Sequence, residues 1–120
     1  WHGHSVSLAA AYVSGLGRQL PDYDVAILGT GYLWSERNYD SMPNIITTAD
    51  PAYLPVSPRT QLEYQVDLTR RVFAAGGVGV IFWRPALGLS PCRTPLGRGP
   101  SHDHAAFIDP GGTVLLPFNI

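Results

Sequence analysis

All four histidines of the chain fall in two His-x-His pairs, His2-Gly3-His4 and His102-Asp103-His104. On a β-strand alternate side chains share a face, so each pair could present two imidazoles to one transition metal, with Asp103 as a further oxygen ligand. If the two ends of the chain meet, four ring nitrogens would suit Zn²⁺ or Cu²⁺. This pattern raises the hypothesis of a zinc or copper site built from His2, His4, His102 and His104.

Aromatic side chains follow two apolar runs of the sequence. Tyr32 and Trp34 come after the run at 25–28, and Trp83 ends the run at 78–83. Large flat rings at the ends of neighbouring strands could stack on sugars, and such rings also pack well in a core. The pattern therefore raises a glycan-binding role for Trp83, Tyr32 and Trp34, although for Tyr32 and Trp34 we favour packing beneath a long loop.

Arg84 directly follows Trp83 and is a candidate for two kinds of contact. A guanidinium pairs well with carboxylates, and the acids considered are Asp22, Asp24 and Glu36. We favour such a salt bridge. The alternative is that Arg84 belongs to the glycan-binding set and anchors an acidic ligand.

The first half of the chain predicts a helix, a strand and a long loop. Apolar residues of 5–20 recur at helical spacing behind Ser5, a favoured N-cap residue. The run Val25 to Leu28 is continuously apolar, which is typical of parallel strands buried on both faces. The polar, proline-containing stretch 34–56 predicts a loop with a functional or packing role.

The second half predicts a helix, a strand and a second loop. Ser57 and Pro58 stand in the favoured order of N-cap and first helical residue, and Gly76-Gly77 predicts the end of that helix. The residues predicted to form its apolar face are Leu62, Val66, Thr69, Val72 and Phe73. The run at 78–83 predicts a second strand buried on both faces.

The remainder, from 84 onward, is rich in proline and glycine up to 104, which predicts a loop with little regular structure. Asp109-Pro110-Gly111-Gly112 then predicts a chain reversal between two short apolar stretches. Strands that alternate with helices indicate an α/β fold with parallel pairing.

Composition excludes several classes of function. A 120-residue chain with 45% hydrophobic residues is expected to be one globular domain over 1–120, and no apolar run approaches the roughly 20 residues that span a bilayer. A net charge of −1 gives no electrostatic footprint for nucleic acid or anionic lipid.

Cys92 is the only cysteine, so it is a free thiol or an intermolecular partner. Because the chain opens at Trp1, we expect a processed or partial product.

The charged residues have an unusual composition. They make up 14% of the chain, and all eight basic residues are arginine. Ordinary domains have about 25% charged residues. Arginine is less strongly hydrated than lysine and suits interfaces, although a codon bias toward arginine explains the same composition.

Three blocks of the sequence, in their order and spacing, resemble the last third of glycoside hydrolase family 53, the endo-β-1,4-galactanases. They are Trp1-His2-Gly3, Gly29-Thr30-Gly31-Tyr32-Leu33-Trp34 and Phe82-Trp83-Arg84-Pro85-Ala86. The corresponding family patterns run roughly W-H-G, E-T-[GA]-Y-P-W and [FY]-W-E-P-A. A later block, 106–115, is similar to the family's A-L-F-D-P-D-G-N-A-L, so the resemblance covers nearly all of the chain.

The resemblance implies a partial (β/α)₈ TIM barrel, from the end of strand six to strand eight and a C-terminal tail. It places 25–30 on strand seven and 78–83 on strand eight, and it puts Gly29 and Trp83 at the carboxyl ends where barrels carry out catalysis. It favours Trp83 as a sugar contact. It also assigns His2 to the W-H-G block, which favours a structural role for the histidines, with the others on a flexible loop. The family is mostly secreted, so an extracellular location is expected.

The chain departs from the family at its chemistry. Retaining glycosidases need two carboxyl groups about 5 Å apart. The family's nucleophile aligns with Gly29, its acid/base lies on strand four, upstream of Trp1, and the glutamate of W-E-P-A is Arg84. The resemblance therefore implies that this chain contains no catalytic residue, and we expect no glycosidase activity from it alone.

These observations lead to three alternative functions. The first is a non-catalytic, pseudoenzyme-like structural or assembly module with residual glycan binding through Trp83. The second is a fragment of an arabinogalactan endo-β-1,4-galactanase whose acid/base lies on another chain, and the third is a His-x-His metal-binding module. For the first two no cofactor is expected.

The number of strands sets an expectation about partners. A complete barrel takes about 250 residues, and two or three strands leave open edges with unpaired backbone groups. We expect another polypeptide, or copies of this chain, to complete the sheet; the alternative is a rearranged small α/β domain. No nucleic acid or membrane partner is expected.

Overall fold

The computed structural model describes residues 5–86 and 88–115. Its elements, in chain order, are helix α1 (Val6–Gln19), strand β1 (Ala26–Thr30), a 3₁₀ turn (Pro51–Tyr53), helix α2 (Pro58–Ala74), and strands β2 (Gly79–Phe82), β3 (Arg93–Thr94) and β4 (Gly97–Arg98). The predicted order of helix, strand, loop, helix and strand is confirmed. The described residues form a small α/β unit without a closed barrel.

Helix α1 packs through one face against α2 and β1. Its buried residues are Val6, Ala9 and Val13, at the helical spacing that the sequence predicts. Ser5 is the N-cap residue, as predicted, although its side chain makes no capping hydrogen bond. The exposed side chains of Leu16 and Leu20 leave the second half of the helix less buried than its sequence suggests.

Helix α2 begins at the predicted cap. The backbone N–H of Thr60 donates to Oγ of Ser57 at 3.1 Å, and the N–H of Ser57 donates to Oγ1 of Thr60 at 2.9 Å, a reciprocal capping box. The helix ends at Ala74, Ala75 is its C-cap, and Gly76 follows with a φ of +88°, the left-handed conformation expected there. Gly77 must also lack a side chain, because a Cβ would lie 2.6 Å from Cγ1 of Val72.

The buried face of α2 is not the predicted one. It consists of Gln61, Tyr64, Gln65, Leu68 and Val72. The side chains of Val66 and Phe73, which the sequence places on the apolar face, are exposed. Both faces have helical spacing, and the structure buries the one that holds two glutamines. The amide of Gln61 donates to backbone carbonyls of neighbouring segments, as described below, whereas that of Gln65 has no hydrogen-bond partner in the described part of the chain.

Strands β1 and β2 form a two-stranded parallel sheet, which confirms the predicted pairing. Ile27 and Val80, which are register partners, face the helices and pack against the core. Leu28 and Ile81 point the other way and are 67% and 58% exposed. The prediction that both faces are buried is therefore wrong for this chain, because the described helices cover only one face.

The core joins both helices to the long loop. Its buried members are Val6, Ala9, Val13, Tyr32, Leu33, Ile46, Tyr64, Leu68, Val72 and Ala105. The predicted reversal at 109–112 is confirmed by an antiparallel bridge between Ile108 and Val114 and by the N–H of Asp109, which donates to the carbonyl of Thr113 at 2.9 Å. In the described part of the chain, neither helix has the length and apolar character needed to cross a bilayer.

Candidate functional site

Gly29 lies on an irregularity at the carboxyl end of β1. Ile27 pairs with Val80 and Thr30 with Phe82, so three residue steps on β1 oppose two on β2. The extra residue makes a β-bulge, and Gly29 takes a φ of +68°, which glycine adopts without strain. Bulges often lie next to functional sites, where they redirect the backbone.

Trp83 lies beside Gly29. Its backbone N–H donates to the carbonyl of Thr30 at 2.7 Å, which fixes the start of its side chain against β1. A Cβ added to Gly29 would have a single heavy atom within 4 Å beyond its chain neighbours, Cε3 of Trp83 at 3.8 Å. Since the indole is 46% exposed, an open aromatic surface adjoins a backbone position with no side chain.

Arg84 contacts Trp83 and not an acid. Its guanidinium carbon lies 5.5 Å from the centroid of the Trp83 ring, and its φ of +52° turns the chain just after the strand. Within residues 5–86 and 88–115 it forms no ion pair, so the favoured salt bridge is wrong. Asp22 and Asp24 precede β1, whereas Arg84 follows β2, and parallel strands put those positions at opposite edges of the sheet.

Tyr32 is a core residue. Its ring stacks on that of Tyr64 with centroids 4.2 Å apart, and its hydroxyl donates to the carbonyl of Asp50 at 3.3 Å. The side chain is fully buried, so a sugar-stacking role for Tyr32 is excluded and the favoured packing role is confirmed.

Trp34 is half-buried at the rim of the same edge. Its Nε1 donates to the carbonyl of Asp103 at 3.3 Å, and its ring stacks on that of Tyr39 at 5.3 Å. Together with Glu36 and the 54–58 segment it lines an open groove with a volume of about 720 Å³. Trp34 thus packs under the long loop, as favoured, and its remaining surface faces this groove.

The His102-Asp103-His104 segment is a buried turn, not a strand and not a flexible loop. Nε2 of His104 donates to the carbonyl of Ile46 at 2.9 Å, so this ring nitrogen is already used. Both oxygens of Asp103 accept backbone N–H groups, from His104 at 2.8 Å and Tyr39 at 3.1 Å. Nε2 of His104 and both oxygens of Asp103 are therefore already used in contacts within the protein, and Nδ1 of His102 lies 3.1 Å from Oγ of Ser101.

The other half of the metal hypothesis, His2 and His4, lies outside the described residues, as does the W-H-G block. Across 5–86 and 88–115 there is no group of three or more His, Cys, Asp or Glu side chains that could hold a metal ion. Cys92 is exposed as a free thiol.

Two residues position the site in a way that the sequence did not predict, since Gln61 is not among the predicted site residues and Asp103 is predicted only as a metal ligand. Asp103 connects the loop after β1 to the 101–106 turn, and Gln61 does the same from α2. Nε2 of Gln61 donates to the carbonyls of Tyr32 at 2.8 Å and Ala105 at 2.9 Å. Each is a polar residue, one in a helix and one in a turn, and such residues are ordinarily expected to face water. The sequence therefore contains little sign of their buried contacts.

The aromatic cluster beneath the site has perturbed tyrosines. Burial, with the nearby charge of Asp50, raises the pKa of Tyr32 to about 12. Burial and the hydrogen bond to Asp67 raise the pKa of Tyr53 to about 12, and burial also raises the pKa of Tyr64. These hydroxyls stay protonated at neutral pH, so they act in packing and hydrogen bonding and not as bases.

The residues of the two segments that end β1 and β2 determine which groups lie at this edge of the sheet. Neither 29–34 nor 82–86 contains an acidic residue. What these segments place at the carboxyl edge is a half-exposed indole, a guanidinium over it and a glycine bulge beside it. Such a surface can pack against the flat, largely apolar face of a sugar ring. These two segments supply no carboxylate that could act as the nucleophile on a sugar.

The fold and this edge define a segment of a parallel β/α barrel with its site at the carboxyl ends of the strands. The sequence model of glycosyl hydrolase family 53 matches residues 1–120. The chain is also 41% identical, over 87 residues, to the arabinogalactan endo-β-1,4-galactanase of Cellvibrio japonicus (strain Ueda107). The chain belongs to glycosyl hydrolase family 53.

Solved structures agree on the fold. The catalytic domain of that family from Ignisphaera aggregans superposes with a TM-score of 0.81 at 20% identity over 97% of this chain, and a fungal β-1,4-galactanase gives 0.64 at 19% identity over the same share. This chain covers 35% and 32% of those two chains, and its match to the Cellvibrio protein covers 71% of this chain and 23% of that protein. It is therefore a partial barrel, as the sequence predicts.

Proposed function

We propose that this chain is a glycan-binding barrel segment of the galactanase family that does not hydrolyse glycosidic bonds by itself. The observation that carries the proposal is the pairing of Gly29 with Trp83 at the strand ends, an open indole beside a position with no side chain. The sugar class is taken from the relatives, whose names refer to β-1,4-galactan. An extracellular location follows from the same kinship.

The lack of hydrolysis is supported by the backbone as well as by the missing carboxylate. A glutamate at position 29 would have to adopt the φ of +68°, which costs an L-residue about 1–2 kcal/mol. Without a nucleophile, no covalent glycosyl intermediate can form, and the rate falls by many orders of magnitude.

Binding is tested by calorimetric titration of the chain with β-1,4-galactotetraose. We expect Trp83→Ala to abolish measurable binding, because the indole provides the open aromatic surface. Tyr23→Ala is the matched control: Tyr23 is also an exposed ring, but it precedes β1 at the opposite edge of the sheet. Binding that survives Trp83→Ala, or is lost equally in the control, would refute this role for Trp83.

We also propose that another polypeptide, or further copies of this chain, completes the sheet. The support is the bare strand face, with Leu28 and Ile81 exposed, and the arginine-only basic surface. Light scattering that gives a mass well above 13.0 kDa, or a stable complex with an added chain, is expected. A monodisperse monomer would favour the alternative, a free-standing small α/β domain.

The second candidate function is a fragment of an active galactanase whose acid/base lies on another chain. The observation that favours it is the room beside Gly29, where an added Cβ makes only ordinary van der Waals contact. In the assembled complex, Gly29→Glu would then release reducing sugar from β-1,4-galactan. Gly29→Gln, with the same strain and size and no carboxylate, is the matched control and should remain inactive.

A further inference from the structure

The hairpin of β3 and β4 places two arginines directly opposite each other. Arg93 pairs with Arg98 in the antiparallel register. Residues paired in this way project from the same face with their Cβ atoms about 4.5–5.5 Å apart, and like charges in that position are unfavourable. Both residues are exposed, so the hairpin carries a concentrated positive charge that its own fold does not require.

No acid in the described part of the chain neutralises this pair. Neither guanidinium has a carboxylate oxygen within the 4.0 Å of an ion pair there, in contrast to Arg59, which pairs with Glu63 at 3.0 Å. Asp40 lies on the facing loop and lines a neighbouring cleft with Arg98. Its Oδ1 is occupied by the backbone N–H of Met42 at 2.7 Å, and its Oδ2 is buried without a hydrogen-bond partner.

The two arginines line a cavity with hydroxyl groups. The cavity has a volume of about 380 Å³, which lies in the usual range of small-ligand sites. Its lining residues are Ser41, Arg93, Thr94, Gly97 and Arg98. Guanidinium groups bind a planar carboxylate through two parallel hydrogen bonds, and hydroxyls suit the hydroxyl groups of a sugar.

The cavity is held open by its backbone. The N–H groups of Ser41 and Met42 donate to the carbonyl of Arg98 at 3.3 and 3.1 Å, and the N–H of Arg98 donates to Oγ of Ser41 at 2.9 Å. The hairpin is thus fastened to the long loop. Gly97 allows this approach, because a Cβ there would overlap the carbonyl group of Ser41.

We propose that this cavity binds the carboxylate of a uronate residue in an acidic polysaccharide. The inference rests on the proposed function, which makes the ligand class a glycan; the two guanidinium groups, which have no ion pair in the described part of the chain, then favour a sugar that carries a carboxylate. Arg93 and Arg98 hold the carboxylate, and Oγ of Ser41, which accepts the N–H of Arg98, donates its own proton to a ring hydroxyl.

The test is calorimetric titration of the 120-residue chain with a trimer of α-1,4-linked galacturonic acid, with sodium acetate and neutral β-1,4-galactotetraose as separate arms. We expect the trimer to bind more tightly than acetate, and Arg93→Gln and Arg98→Gln each to weaken it by about tenfold or more. Arg18→Gln, an exposed helix arginine bonded to Ser14, is the matched control and should bind the trimer normally.

The outcomes separate the two proposals. The uronate proposal is overturned if the trimer does not bind, if it binds no better than acetate, or if Arg18→Gln weakens it as much as the hairpin variants do. If galactotetraose fails to bind while the trimer still depends on Arg93 and Arg98, only the galactan proposal fails. Thermal melting of both hairpin variants should stay at or above that of the parent chain, because each removes a like-charge contact.

Discussion

Gly29 and Trp83 are adjacent on neighbouring strands, and a Cβ built on Gly29 would lie 3.8 Å from Cε3 of the indole. This is ordinary van der Waals contact, so space does not forbid a side chain there. The backbone disfavours one, because φ is +68°.

We therefore expect Gly29→Ala to lower the free energy of unfolding by about 1–2 kcal/mol, through the strained backbone. Gly79→Ala on β2 is the control, since Gly79 has no left-handed φ and nothing within 4 Å of an added Cβ. Urea denaturation should give an unchanged or slightly higher stability for that variant. Equal losses in both variants would contradict the account of the bulge.

Two glutamines on the buried face of α2 should respond in opposite ways to the same substitution. Gln61→Leu removes the donor to the carbonyls of Tyr32 and Ala105 and leaves them unpaired, at a cost of about 1–3 kcal/mol. Gln65→Leu should be neutral or stabilising, because neither polar atom of its side chain has a partner. Thermal or urea unfolding of the two variants checks this. Similar destabilisation of both variants would mean that side-chain shape, and not hydrogen bonding, determines which face of α2 is buried.

The local structure of α2 illustrates what the sequence could predict. The cap at Ser57, the first residue Pro58 and the end before Gly76 depend on backbone geometry within one or two turns of helix, which neighbouring residue types determine. The reversal at 109–112 was predictable for the same reason. Local steric and hydrogen-bonding preferences are readable without tertiary information.

Burial of polar groups was not predictable. Gln61, Asp103 and His104 are buried because backbone groups from distant loops happen to meet them, and nothing within their own segments signals those partners.

The family resemblance placed Gly29 and Trp83 at the ends of β1 and β2, and the structure has them there; their role as a site stays a prediction. The packing role favoured for Tyr32 is confirmed by its stacking on Tyr64. The favoured salt bridge of Arg84 is wrong, because its contact with the Trp83 ring depends on side-chain placement in three dimensions.

The tyrosine cluster should make the fold sensitive to alkali. Burial raises the pKa of Tyr32 from 10.0 to about 12, and burial with the hydrogen bond to Asp67 raises the pKa of Tyr53 by the same amount. Below pH 10 these groups are protonated in both folded and unfolded chains, so their contribution to the free energy of unfolding is fully present. Between pH 10 and 12 the unfolded chain loses its protons first, and stability falls.

The measurement is urea unfolding across that pH range, with tyrosinate absorbance recorded in parallel. We expect the rings of Tyr32 and Tyr53 to ionise together with the unfolding transition. Tyr32→Phe should make the loss of stability less steep. A stability that rises or stays level from pH 10 to 12 would be inconsistent with protonated, buried tyrosines.

His104 should fasten the loop after β1 to the 101–106 turn. His104→Leu removes the donor to the carbonyl of Ile46 and should cost about 1–3 kcal/mol. Amide exchange should also quicken at Trp34, whose N–H donates to the carbonyl of His104 at 2.9 Å. Thr47→Ala, an exposed neighbour of Ile46, serves as control and should leave exchange unchanged. Normal protection of Trp34 in His104→Leu would mean that the loop is held elsewhere.

The most direct test of the central claim, sugar binding without hydrolysis at Gly29 and Trp83, is a nuclear magnetic resonance titration with β-1,4-galactotetraose. The chain has three tryptophans, so the indole N–H signals are few, and Trp83→Phe assigns the one of interest. We expect the indole N–H signal of Trp83 to shift when the sugar is added, and we expect no new reducing-end signals to grow during prolonged incubation. An unmoved Trp83 signal, or the steady appearance of shorter galactose oligomers, would contradict it.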